Sequence, residues 1–365
     1  MHKTQVLTTT KGDHFRTRLT HTLEVSQIAR SIAKLLGLNE ELVEAIALGH
    51  DLGHTPFGHV SERVLNRIIS GKTDISGKNF GGFKHNFQSV RIADHLEQWA
   101  LDNVGFNLTL VVRDGILKHS TLKSKKTDPE PVRYPDLKLI SLETDIPFSI
   151  EGQVVKISDD IAQITHDLED GFRLGIIKIN DFSSCQLVET VCENFSIPSQ
   201  RLTQFDTRQL RSHLIGPMVG FLIHDAAQAT LAKIQEKFKT GPYPYSFEEM
   251  YVTFSMGTEN AAMELKNIIN DLFVTSLQVS TMDSRAEYLV TQLFKAYWRT
   301  PAQLPDLILS KYFHRLGMTF SRRSLNQYKR KMHNDPYFAR AICDHIACMT
   351  DNYAFTEYKK LYLPE

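Results

Sequence analysis

The chain lacks most of what would place it in a membrane, outside the cell or on a polyanion. No apolar run approaches the roughly 20 residues of a membrane span, and Met1–Gln5 carries no signal-peptide pattern. Only four cysteines occur in 365 residues, at positions 185, 192, 343 and 348, and none forms a Cys-x-x-Cys pair. A reduced, cytoplasmic protein is therefore expected. Net charge is missing too, since 42 Lys plus Arg balance 42 Asp plus Glu. That balance argues against a surface coated for nucleic acid or membrane, but leaves room for a local basic pocket around a phosphorylated small molecule. Several nucleotide and metal motifs are absent. Gly71-Lys72-Thr73 and Gly77-Lys78 lack the P-loop glycine five positions earlier, where Asn66 and Lys72 stand. There is no His-Glu-x-x-His and no zinc-deaminase signature. Runs of alternating strands and internal repeats are also lacking.

What is present is helical periodicity. Val25, Ile28, Ala29, Ile32, Leu35 and Leu36 recur at helical spacing, and Gly37 ends the run. Asn39 reads as an N-cap with Glu40 and Glu41 in the first turn, and apolar residues follow to Leu48. That helix should finish at His50-Asp51, with Pro56 stopping it shortly after. Further helices are expected over Ser61–Ile69, from His85 to about Trp99, over Asn107–His119 and over Gln153–Phe172, and from about residue 201 onward. Residues 70–84 and 120–136 read as loops. The expected class is all-α. The expected organisation is a core over 1–200 and a C-terminal helical region over 201–365, packed in the same globule.

The densest chemistry lies in His50-Asp51-Leu52-Gly53-His54-Thr55-Pro56-Phe57-Gly58-His59, which holds three of only 15 histidines and a carboxylate. Imidazole and carboxylate are the ligand types for a hard-to-borderline divalent ion. A helix-end His-Asp pair diverges by roughly 100° of rotation, so an ion must sit off the helix end and draw further ligands from other helices. His21, near the start of the first helix, and Asp159, on the apolar helix of Val154, Val155, Ile157 and Ile161, are the candidates. An acid on the inner side of such a helix needs a positive partner. Asp159, Gln163, His166, Asp167 and Asp170 share one polar stripe at helical spacing. His59 and Glu62, three apart at a helix start, can lie together, and a carboxylate beside an imidazole orients it.

Four segments carry a resemblance: Arg16–Val25 (RTRLTHTLEV), His50–His59 with Glu62, Asn107–Thr109 with Gly115–His119 (GILKH), and Met349–Ala354 (MTDNYA). Together they resemble the HD-domain deoxynucleotide triphosphohydrolases, the bacterial dGTPase-like family related to the mammalian SAM-and-HD-domain dNTPase. The resemblance runs over nearly the whole chain. It implies one divalent metal ion on His21, His50, Asp51 and Asp159. Mn or Mg is expected, and Fe, Ni and Zn suit the same ligands. Asp160 is the rival for the last place, and the family's Asp-acidic-Ile-Ala order selects Asp159.

The resemblance also implies a reaction: cleavage of a deoxynucleoside triphosphate at its 5′ oxygen, releasing inorganic triphosphate. The leaving alkoxide is poor, so a proton donor should contribute roughly 10²–10⁴-fold. By the same likeness His59 and Glu62 form a catalytic dyad, His54 and His85 act around the α-phosphate, and the general acid stays open among the three histidines. Gln5 is expected to read the sugar 3′ hydroxyl, Arg18 and Lys118 to hold phosphates, and Asp167 to contact the sugar. Gln163 stands where the family commonly has a Tyr against the deoxyribose. The family also has an arginine-rich segment before Lys3–Val6, where this chain begins; either the start lies upstream or part of a pocket wall is missing. A homo-oligomer (dimer-based, tetrameric or hexameric) and a nucleotide effector are family expectations. Nucleic acid on the basic run Lys118–Lys126 is not favoured, and Tyr243, Tyr245, Phe247, Tyr251 and Phe254 read as packing residues. Two other functions compete with this one: another HD phosphohydrolase, such as a 5′-nucleotidase or cyclic-nucleotide esterase, and a catalytically weak nucleotide sensor.

Overall fold

A computed structural model of the chain describes residues 3, 17–97, 105–122, 137, 140–239 and 246–363. Gln5, Tyr243, Tyr245, the end of the helix expected to reach Trp99 and most of the 120–136 loop lie outside them. The regular structure of the described residues is helical, with no strand beyond isolated bridge positions, as an all-α class requires. None of their helices is long and apolar enough to cross a membrane.

Helix α1 (Arg18–Leu36) begins where the Thr17 side chain accepts from the Thr20 N–H, and it closes on Gly37 at φ 69°, a left-handed position that glycine occupies without cost. The Asn39 side chain caps α2 (Glu40–Gly49) by accepting from the Leu42 N–H. This helix ends seven residues before Pro56, so proline is not its terminator. The turn after it is fixed by packing: the Ser89 hydroxyl donates to the His50 carbonyl (2.7 Å) and accepts from the Gly53 N–H (2.9 Å). Helices α3 (His59–Ile69), α4 (His85–Arg91), α5 (Leu110–Lys118) and α6 (Ile150–Arg173) follow. Instead of continuing as α-helix to Trp99, α4 gives way to a π-turn at Ile92–Leu96.

Two apolar clusters form. The first joins α1, α2, α5 and α6 through residues such as Ile32, Ile46, Ile116 and Ile161, and it takes in α7 (Gly216–Lys237) through Met218 and Leu222. Tyr251 belongs to it, with Phe247 and Phe254 packed against it, so these three aromatics are packing residues as expected. The second joins Val64, Leu65, Ile68 and Ile69 of α3 to Leu293, Phe294 and Tyr297 of α8 (Leu277–Arg299) and to Phe338 and Ile342 of α9 (Pro336–Ala347). Helix α3 thus rests on residues more than 200 positions downstream. Polar contacts tie the same elements. Arg91 grips Asp344 with Nε and Nη2 at 2.7–2.9 Å, and Asp351, opening α10 (Asp351–Tyr362), accepts from the Phe57 N–H at 2.9 Å.

Candidate functional site

His50 caps the C-terminal end of α2, fully buried, and Asp51 follows in the turn. Helix α1 brings His21 and α6 brings Asp159 to the same point. His21 Nε2 lies 2.9 Å from Asp159 Oδ1 and 3.9 Å from Asp51 Oδ2; His50 Nε2 lies 3.5 Å from Asp51 Oδ1 and 3.8 Å from Asp159 Oδ1. All four side chains expected as metal ligands therefore converge. Asp160 instead meets Lys266 at 3.2 Å near the surface.

The donor set fits a cation. His50 Nδ1 is 2.6 Å from the Ala47 carbonyl, an acceptor, so the ring proton sits on Nδ1. Nε2 is then a bare lone pair, and it is buried without a hydrogen-bond partner. It faces two carboxylates that can only accept. An acceptor aimed at acceptors in a buried site calls for a positive ion among them. Burial alone would raise the carboxylates. The neighbouring His50, His54 and Arg18 nevertheless hold Asp51 well below its ordinary value, and the close approach of His21 and His50 does the same for Asp159.

A second group lies alongside. Nitrogens of His54, His59 and His85 and an oxygen of Glu62 gather within 4.8 Å of one another. Glu62 does reach His59 (3.5 Å), but its tighter partner is His85, at 2.6 Å, and His59 is largely exposed. The expected His59–Glu62 pair is thus a triad with His85 at its buried end. Burial would raise Glu62; the His85 charge and hydrogen bonds from His59 and His85 hold it well below its ordinary value. The His54 and His85 rings stack, centroids 4.0 Å apart, and His54 Nε2 lies 3.0 Å from Asp51 Oδ1, which links the two groups. Burial, then the Arg18 charge, push His54 well down.

Sequence reasoning did not assign His119 or His166. His119 Nδ1 donates to the Ile116 carbonyl at 2.8 Å, so its Nε2 accepts, 3.3 Å from His85 Nε2. Burial, with His50 and His85 nearby, pushes His119 down to about 3. His85 therefore stands between two acceptors, Glu62 and His119. The GILKH segment containing His119 was visible, but its role was not. His166 lies two turns along the α6 stripe from Asp159, buried, with Nδ1 3.3 Å from His21 Nδ1. On that stripe Asp170 is buried, Asp167 half-buried and only Gln163 exposed, so it is no solvated face.

The expected phosphate cations are both engaged. Arg18 Nη1 meets Asp51 Oδ2 at 2.7 Å, while its Nε is buried without a partner. Lys118, 2 % exposed, pairs with the equally buried Asp114 at 2.8 Å. Lys3 Nζ donates to the His54 and Ala347 carbonyls at 2.6 Å, tying Lys3 to the site turn and to the end of α9.

The chain is similar to known proteins along its length. The HD domain family matches residues 18–164 and the phosphohydrolase-associated domain matches residues 252–360. A deoxyguanosinetriphosphate triphosphohydrolase-like protein of Geobacter sulfurreducens is 36% identical over 364 residues, covering 100% of this chain and 84% of the relative. Proteins of the same name from Bordetella pertussis and Caldanaerobacter subterraneus are each 34% identical, covering 99% and 100% of this chain and 85% and 80% of the relatives. With the histidine–aspartate cluster, the histidine–carboxylate triad and the likeness along its length, the chain belongs to the HD-domain phosphohydrolases of the deoxyguanosinetriphosphate triphosphohydrolase-like family.

Proposed function

We propose that the protein hydrolyses deoxynucleoside triphosphates to deoxynucleoside and inorganic triphosphate, with His21, His50, Asp51 and Asp159 holding one manganese or magnesium ion. The observation that carries this is the buried, bare Nε2 of His50 aimed at two carboxylates, with the His54–His59–Glu62–His85 group against it. Relatives named for triphosphohydrolysis support the substrate class.

When bound, the ion supplies positive charge to the α-phosphate oxygens. The remaining work falls to side chains. Arg18 offers the partnerless Nε–H, and a phosphate oxygen is an acceptor that would satisfy it. Glu62, held ionised, accepts a hydrogen bond and can orient the attacking water with His59 at the exposed edge. His85, flanked by acceptors on both ring nitrogens, is the ring best placed to donate a proton to the departing 5′ oxygen. His54 bridges the two halves through Asp51. Lys118, locked to Asp114, supports the wall of the site in this reading rather than touching the triphosphate. Asp167 contacts the sugar, and the exposed Gln163 leaves that side open. A homo-oligomer, a nucleotide effector and a cytoplasmic location rest on the family likeness and composition.

The test is chromatographic product analysis with Mn²⁺ or Mg²⁺ and each of the four dNTPs. Intact triphosphate supports the proposal. Orthophosphate would point to another HD phosphohydrolase, and saturable binding without turnover to a sensor.

A further inference from the structure

We propose that Glu24 and His166 form a relay that fixes His21 in the one tautomer able to bind a cation, an inference that rests on the metal site proposed above. A histidine ligand must present a lone pair, and its other nitrogen then carries the proton and needs an acceptor. For His21 the nitrogen facing Asp159 and Asp51 is Nε2, so the proton belongs on Nδ1. The group opposite Nδ1 is His166 Nδ1, 3.3 Å away, with the two rings edge-on at 74°.

His166 accepts there only if its own proton sits on Nε2. That nitrogen abuts the Glu24 carboxylate, which can only accept. Arg211 Nη2 pairs with the other Glu24 oxygen at 3.2 Å. The order of protons follows: His166 Nε2–H donates to Glu24, His21 Nδ1–H donates to His166, and His21 Nε2 is left bare. Broken anywhere, the chain lets the His21 proton move to Nε2. There it bonds Asp159 at 2.9 Å and closes the site to an ion. Glu24 follows His21 by three residues on α1, and His166 follows Asp159 by seven on α6, so each relay member rides on the helix that also presents a ligand.

The experiment measures Mn²⁺ affinity of the full-length chain by calorimetry, without reference to turnover. His166→Phe keeps the ring volume but no acceptor, and should weaken Mn²⁺ binding by roughly 10–100-fold. His166→Asn loses volume but can place Oδ1 where Nδ1 stood, and should retain most of the wild-type affinity. Glu24→Leu should weaken binding and Glu24→Gln, still an acceptor, should largely preserve it. A mere packing role predicts the opposite order, Phe above Asn. That order, or equal affinities in the two His166 variants, would overturn the relay while wild-type binding left the metal site standing. Wild-type protein that takes up no Mn²⁺ would instead overturn the metal site, and the relay with it. A second measurement needs no variant: ¹⁵N spectra of the Mg²⁺-saturated wild-type chain should show His166 protonated on Nε2, and protonation on Nδ1 alone would refute the proposal.

Discussion

Replacing Gly53 by alanine should open the site without touching any side chain in it. A Cβ at position 53 would stand 2.2 Å from the His85 carbonyl oxygen and 2.2 Å from the Ser89 nitrogen, both backbone atoms of α4. Neither can rotate away, so the turn and the helix must part by about 1.2 Å to reach ordinary contact. That movement separates the His50–His54 turn from His85, whose ring now stacks on His54 at 4.0 Å, and strains both hydrogen bonds of Ser89. Overpacking of this kind costs roughly 1–3 kcal/mol. A misplacement of about 1 Å between catalytic groups costs on the order of 10² in rate. Thermal melting and dNTP turnover measure the two effects. Gly220→Ala is the control: it lies in α7 with nothing near its would-be Cβ, and alanine there should stabilise by roughly 0.5–1 kcal/mol. A Gly53→Ala protein with wild-type melting and turnover would refute the claim that glycine is needed for the approach of α4.

Four other outcomes are expected. Asp159→Asn should abolish tight Mn²⁺ uptake, while Asp160→Asn should leave it intact and change stability by less than about 1 kcal/mol, because its Lys266 pair is solvent-exposed; equal uptake in both variants would contradict the assignment. Glu62→Gln should lower turnover by roughly 10²–10⁴-fold with Mn²⁺ affinity unchanged. His345 is pushed down to about 4, mainly by burial beside Tyr297, with Glu357 pulling the other way. Its folded value lies below its ordinary 6.5, so stability is full above pH 6.5 and falls as the pH drops toward 4, by at most about 3 kcal/mol at about 1.4 kcal/mol per pH unit; His345→Phe should flatten urea-measured stability across that window. Asp351→Ala removes the acceptor for the N–H of Phe57, a residue at φ 61°, and should lower turnover more than its melting temperature suggests.

Local chemistry made much of this molecule readable beforehand. The Asn39 cap, the Gly37 stop and the apolar spacing of α1 and α6 depend on neighbours within a turn or two, and all appear where expected. The meeting of His21, His50, Asp51 and Asp159 was reachable through the family likeness, since no spacing on one helix dictates it. What stayed hidden comes from contacts between helices. Position predicts His59 for Glu62, yet His85 arrives from another helix and binds it more closely. The π-turn at Ile92–Leu96 is supported from outside, by the Phe106 N–H on the Ala93 carbonyl and by Arg113 on Asp94. The partners that set histidine tautomers, Ala47, Ile116 and Glu24, leave no mark in periodicity.

The placement of α3 on the second apolar cluster has a consequence for how this protein can vary. His50 and Asp51 are anchored by one core, whereas His59 and Glu62 ride on another that is largely supplied by α8 and α9. Hydrolysis then depends on the alignment of two separately built blocks, and the second is filled by residues such as Phe294 and Ile342, which belong to neither histidine group. Substitutions there would surface as lost turnover with intact metal uptake, a phenotype easily mistaken for damage to the chemistry itself.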